Sequence, residues 1–182
     1  MKDNLQIATF AGGCFWCTET VFMRLEGVEK VISGYTGGHI KNPAYREVCT
    51  GRTGHAEAVQ IFYDESKIDY KELLEIFFAT HDPTTLNRQG NDIGTQYRSE
   101  IFYHDDMQKD SALSFVEFLE REQIFSNPIV TKVTPFDVFY NAEDYHQNYY
   151  NQNNEQSYCQ FVINPKLKKF KTTFSNKLKN EL

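Results

Sequence analysis

The sequence predicts an α+β fold: a single-domain two-layer sandwich of a mixed sheet and helices, with a ferredoxin-like core, long loops and an irregular C-terminal segment. Three observations predict it. The chain has 182 residues, enough for one well-filled core and short for two. Short apolar or alternating runs that read as strands are interleaved with segments of helical apolar spacing. The connections are glycine-rich or polar, and some are long enough to carry function.

Ile7 to Phe10 is a short apolar strand that breaks at Gly12-Gly13, and Val21, Phe22 and Leu25 follow at helical spacing. This reads as strand, turn and helix, with Cys14 at or beside the helix N-terminus. "GVEKVISGYTGG" alternates and enters a glycine-rich loop that continues through "HIKNPAYREVCTGRTG". "HAEAVQIFYD", residues 55–64, sets Ala56, Ala58, Gln60 and Phe62 against Glu57, Val59, Ile61 and Tyr63, a strand buried over most of its length. "SKIDYKELLEIFFATHD" offers Ser66 or Asp69 as a cap, spaces Leu73, Leu74, Phe77 and Phe78 helically and ends before Pro83. A long polar loop, "PTTLNRQGNDIGTQYRS", feeds the strand "YRSEIFYH". "DDMQKDSALSFVEFLEREQI" is a second long amphipathic helix, with Met107, Leu113, Val116 and Leu119 among its apolar positions. "IVTKVTPFDVFY" supplies a last strand, and a short helix from Ala142 dissolves into Asn- and Gln-rich sequence.

The formal net charge of −6 argues against nucleic acid as a partner. No apolar run approaches membrane length and the N-terminus lacks an apolar signal core, so a cytoplasmic monomer with no membrane contact is expected. Residues 165–182 carry six Lys against one Glu. They are expected to form a solvated, mobile tail after a catalytic domain spanning residues 1–164. In a reducing compartment Cys14, Cys17, Cys49 and Cys159 argue for catalysis, redox cycling or metal binding before a disulfide framework.

The stretch "GGCFWCTE" places a thiol where unpaired N–H groups and the helix dipole favour an anion, which can lower the Cys14 pKa from ~8.5 by one or more units. By itself Cys14-x-x-Cys17 has three readings: a dithiol redox pair, half of a zinc site, or two buried small residues. Zinc ranks last, because Cys49, Cys159 and five scattered histidines supply no second paired ligand motif. Glu57 stands in an otherwise apolar strand, where desolvation raises a carboxyl pKa toward neutrality. Pairing with Arg52 or Arg98 is the structural alternative. Tyr45 and Tyr97 read equally as core aromatics, and Asp92 as a turn residue.

Together "GGCFWCTE", "GYTGG", "YREVCTGRTGHAEAV", "HDPTTLNRQGNDIGTQYRS" and "AEDYHQNYY" resemble the A-type peptide methionine sulfoxide reductases, in that family's order from about residue 7 to about residue 159. The resemblance implies that Cys14 attacks the sulfur of an S-configured methionine sulfoxide, with Phe15 and Trp16 as the wall for its methyl group. Glu57 matches the acid, Tyr45 and Tyr97 match phenols that hydrogen-bond the sulfoxide, and Asp92 matches a residue holding a water or the polarised oxygen. Tyr158 would line the same pocket. The chemistry agrees, because a sulfoxide is a weak electrophile that needs a thiolate together with an acid at its oxygen. The resemblance further implies a Cys14 sulfenic acid, an intramolecular disulfide, and thioredoxin or another dithiol as reductant, with no bound cofactor or metal. The implied substrates are oxidised proteins, peptides and free methionine sulfoxide.

Cys17 stands where many members of that family have glycine, which leaves the resolving thiol open. Cys159, on the polar leash "NQNNEQSY", is favoured, with Cys17 as competitor or second relay. Cys49 reads as a buried small residue, and His55, His81 and His146 as residues that support the site from behind or are structural, not proton shuttles.

Overall fold

Six strands form one mixed sheet in the computed structural model, which describes residues 5–180; residues 1–4 and 181–182, the outer ends of the expected domain and tail, lie outside the described residues. In chain order the elements are β1 (Gln6–Gly12), α1 (Phe15–Phe22), β2 (Val28–Thr36), α2 (Tyr45–Val48), β3 (Ala56–Tyr63), α3 (Tyr70–Thr80), β4 (Arg88–Gln89) and β5 (Asp92–Ile93). They continue with β6 (Ser99–Tyr103), α4 (Asp106–Arg121), β7 (Lys132–Pro135), β8 (Phe139–Asn141), α5 (Tyr149–Asn153) and α6 (Asn164–Thr173). The sheet order is β7-β6-β1-β3-β2-β8, and β4 and β5 form a separate two-stranded hairpin. Among the described strands only the β6–β7 pairing is parallel. Helices and a mixed sheet share one core, as the sequence predicts.

Where the sequence suggests one last strand, the structure makes two, β7 and β8, at opposite edges of the sheet. A flat sheet would hold these edges about 24 Å apart, five gaps of about 4.8 Å. The four steps from Pro135 to Phe139 span at most about 14 Å. The sheet therefore curls. Ala11, Ala56 and Ala58 leave the inner face shallow, and Phe102, Phe136 and Phe139 fill it. The other face carries Val59, Ile61 and Tyr63 into the main core, where Phe10 stacks on Phe77 with ring centroids 4.8 Å apart.

Asp69 is the cap of α3, closing a capping box with Glu72, and Leu73, Leu74, Phe77 and Phe78 are all buried. On α4 the inward face is Ala112, Phe115, Val116 and Leu119, whereas Met107 and Leu113 face outward. The expected solvated tail is also corrected. Leu167, Phe170 and Phe174, spaced three and four apart, bury in the main core, and backbone bonds from Glu26 N–H to Lys177 O and from Lys179 N–H to Arg24 O fasten the chain's end. Helical apolar spacing among the lysines overrides their charge. No described helix is long and apolar enough to cross a membrane.

Gly34 marks where β8 crosses β2. A Cβ there would lie 2.4 Å from the Phe139 ring and from the Tyr140 carbonyl oxygen. Gly34→Ala is expected to push β8 off the sheet edge and cost about 1–3 kcal/mol, read as a lower midpoint in urea denaturation.

Candidate active site

The turn Gly12-Gly13 delivers Cys14 to the α1 N-terminus. Gly13 has φ +96, and a Cβ on it would stand 2.6 Å from the Gln89 side chain, so glycine is required where the hairpin crosses the turn. Cys14 is the residue before the helix, and its carbonyl accepts from Cys17 N–H at 3.1 Å and Thr18 N–H at 3.4 Å. The next N–H, that of Phe15, donates to Glu57 Oε2 at 3.0 Å. The thiol is buried and the first N–H of the helix is already taken by a carboxyl oxygen, and the expected lowering of the Cys14 pKa does not appear. Burial, then the neighbouring Cys17 and the Glu57 carboxyl, push the Cys14 thiol well above its usual range. Cys17 is lowered to about 7, first by the hydrogen bond from Cys14.

Glu57, on β3, is 1 % exposed and points to the helix side of the sheet. Burial raises it from 4.5 to about 8, against the lowering effect of the Phe15 N–H bond. It does not pair with Arg98, which instead binds Glu100 at 2.6 Å. A carboxyl of this kind is protonated at neutral pH, with one oxygen on the Phe15 N–H and an O–H left to donate.

The expected aromatic residues gather around this pair. Phe15 is buried, and its ring stands near those of Tyr45 at 6.5 Å and Trp16 at 6.4 Å. Trp16 stacks on Tyr149 at 3.7 Å with an interplanar angle of 6°, and meets Tyr158 edge-on at 5.7 Å. The Tyr158 hydroxyl donates to Asp92 Oδ2 at 2.7 Å and lies 4.0 Å from Cys17 Sγ. Tyr97 borders the cysteine cluster. Burial pushes the Tyr45, Tyr97 and Tyr158 phenols upward, so all three are neutral donors.

Cys159 is fully buried in one cluster with Cys14, Cys17 and Ile163. It begins a wide π turn, Cys159–Ile163, that runs straight into α6. The polar leash expected before it thus ends in an anchored helix. Cys49, expected to be buried, is exposed beside Val48, which takes the buried position instead.

Three supporting residues escaped the sequence reading as site residues. Glu143 accepts from Tyr45 N–H and from the Tyr35 hydroxyl, both at 2.8 Å, and so fixes the start of α2. Buried Glu19 accepts from the N–H groups of Asn148 at 2.8 Å and Tyr149 at 3.3 Å. His146 Nδ1 accepts from Trp16 Nε1 at 3.1 Å, an orienting bond of the supporting kind the sequence reading allows for it. The available signal was a carboxylate on an apolar helix face at Glu19, and the quoted "AEDYH" stretch for the other two.

Among the described residues no three His, Cys, Asp or Glu side chains gather closely enough to hold a metal. A separate groove between α3 and α4, walled by Phe78, Phe115, Phe118 and Ile124, contains no cysteine or histidine.

Residues 6–178 match the family model described as peptide methionine sulfoxide reductase. The chain is 56% identical over 176 residues to the peptide methionine sulfoxide reductase MsrA of Chromobacterium violaceum, covering 97% of this chain and all of that protein. Methionine sulfoxide reductase A of Corynebacterium diphtheriae superposes with a TM-score of 0.80 at 36% identity, covering 84% of this chain and 76% of the other. Mxr1 from Saccharomyces cerevisiae, solved in complex with Trx2, superposes with a TM-score of 0.56 at 25% identity, covering 82% and 87%.

Proposed function

The chain belongs to the A-type peptide methionine sulfoxide reductases and is an oxidoreductase, and from that premise we infer that it reduces methionine-S-sulfoxide through a Cys14 sulfenic acid. One observation carries the reading: a buried carboxyl, Glu57, protonated at neutral pH and fixed by the Phe15 N–H one residue from the Cys14 nucleophile. Glu57 donates to the sulfoxide oxygen, and the sulfur becomes more positive. That positive charge beside Cys14 offsets the cost of ionising its buried thiol. Sγ of Cys14 attacks the sulfur, the oxygen transfers to Sγ with the proton from Glu57, the proton released by the Cys14 thiol restores the Glu57 acid, and methionine leaves. Tyr45 and Tyr97 offer the oxygen neutral donors, Tyr158 is held beside them by its bond to Asp92, and Phe15 and Trp16 receive the methyl group.

The sulfenic acid then condenses with a neighbouring thiol to a disulfide, which a dithiol protein reduces. Support for thioredoxin in that role is the complex that Mxr1 forms with Trx2. The reaction is placed in the cytoplasm, where such dithiols regenerate, and its substrates are oxidised proteins, peptides and free methionine sulfoxide.

The test is turnover of separated S and R epimers of a methionine sulfoxide peptide with dithiothreitol. Methionine is expected from the S epimer alone. Equal turnover of both, or of neither, removes the stereospecific reading.

A further inference from the structure

Cys17 faces two ways. On one side it joins Cys14 and Cys159 in the buried cluster. On the other it lines a small cavity between α1, α3 and α6, together with Phe77, His81 and Lys166. Lys166 is half-buried, and among the described residues no carboxylate pairs with it. His81 brings no charge there: its ring nitrogens bond Phe77 O at 2.6 Å and Ser99 Oγ at 2.8 Å, and burial lowers it to about 4. A half-buried ammonium without a counter-ion thus shares a cavity with a buried thiol, and the ionised thiol is the anion that stabilises both. The helix that carries the lysine is held in place, because Leu167 and Phe170 are anchored in the core.

We propose that Lys166 is a positioning residue for recycling: its ammonium holds Cys17 as the thiolate that attacks the Cys14 sulfenic acid first, ahead of Cys159. This rests on the sulfoxide-reductase reading above. The Cys17 thiolate forms an S–S bond with Cys14 Sγ, the S–O bond of the sulfenic acid breaks, and the leaving hydroxide becomes water by taking a proton from solvent, equal to the one Cys17 released there on ionising. No external oxidant is needed. The hydrogen bond between Cys17 N–H and Cys14 O sets both thiols on one helical turn.

The charges facing Cys17 divide. The Cys14 hydrogen bond, Lys166 and the Tyr158 hydroxyl favour its thiolate, whereas burial and Asp92 oppose it, and Glu57 adds repulsion only when ionised. In the reduced protein the balance falls below the usual thiol range, and once Cys14 is a sulfenic acid Lys166 and the Tyr158 hydroxyl remain to favour the thiolate. Cys159 moves the other way, raised by burial and by Cys17, and a thiol poised near ambient pH attacks faster than one held protonated.

The experiment is a single turnover without external reductant from pH 5.5 to 9, with methionine release and sulfenic acid decay followed separately by quench and dimedone trapping. Lys166→Met is expected to release methionine with wild-type amplitude and to form the disulfide about tenfold more slowly at pH 7, its midpoint about one pH unit higher. Lys166→Arg restores both, and Cys159→Ser still forms the Cys14–Cys17 disulfide at the wild-type rate. A Lys166→Met profile that superimposes on wild type overturns the proposal, as does undiminished disulfide formation in Cys17→Ser. Absence of methionine release from wild type defeats the reductase reading instead.

Discussion

Methionine release in a single turnover is expected to stop in Cys14→Ser and to fall about 10²–10³-fold at pH 7 in Glu57→Gln. The glutamine keeps an oxygen for the Phe15 N–H, so the turn that presents Cys14 survives, but an amide has no proton to give. At neutral pH Glu57 is largely uncharged, so its replacement leaves the alkylation rate of Cys14 near that of wild type. The pH profiles separate the two variants from simple misfolding. Wild-type methionine release should decline as pH rises through about 8, where Glu57 loses its proton, and Glu57→Gln should show no such decline. Stability carries the same sign. Folded Glu57 keeps its proton up to about pH 8, whereas in the unfolded chain it releases it near 4.5, so folding binds a proton between those values and wild-type stability drops as pH climbs through them. Denaturation midpoints of wild type and Glu57→Gln should therefore diverge in the variant's favour from pH 5 to pH 8. Wild-type methionine release by Glu57→Gln at pH 7 would take the carboxyl out of the mechanism.

Local signals made Glu57 legible in the sequence, and the same holds for much of the fold. A carboxylate in the run "AEAVQIF" has no exposed face to occupy, so its burial follows from strand alternation alone. Asp69 with Glu72, and Leu73 to Phe78, mark α3 through spacing within one segment. Three features depend on contacts between distant segments and were misread. The split of residues 129–140 into β7 and β8 follows from sheet curl, which the alanines of β1 and β3 permit only once those strands lie side by side. The Lys-rich end hides Leu167, Phe170 and Phe174, whose spacing becomes meaningful only against the open side of the core. The helix N-terminus favours a Cys14 thiolate locally, but packing from distant segments buries the thiol, and Glu57 arrives from another strand and takes the first N–H.

Glu19 belongs to the same class, and its removal is the second large effect expected. Its side chain is 2 % exposed and spends both oxygens on backbone N–H groups of Asn148 and Tyr149, some 130 residues away in sequence. Asn148 sits at φ 52, so the chain turns there through a left-handed residue into α5. No other described side chain accepts those two N–H groups. Burial raises the Glu19 carboxyl above its usual range, while the two bonds it receives pull the other way. Glu19→Ala leaves both N–H groups without a side-chain partner at a half-buried corner, which should cost about 1–3 kcal/mol. The functional consequence runs through Tyr149, the ring against which Trp16 lies at 3.7 Å. With the corner loosened, the wall for the substrate methyl group loses its backing, so KM for a methionine sulfoxide peptide should rise about tenfold. The rate of oxygen transfer at saturating substrate should change far less, since the bond from Phe15 N–H to Glu57 that sets the acid beside Cys14 does not involve Glu19. Glu19→Gln, which keeps one acceptor oxygen, should lose less stability and less affinity than alanine. A Glu19→Ala protein with lowered stability but wild-type KM would confine Glu19 to holding the fold and show that Trp16 keeps its place without Tyr149.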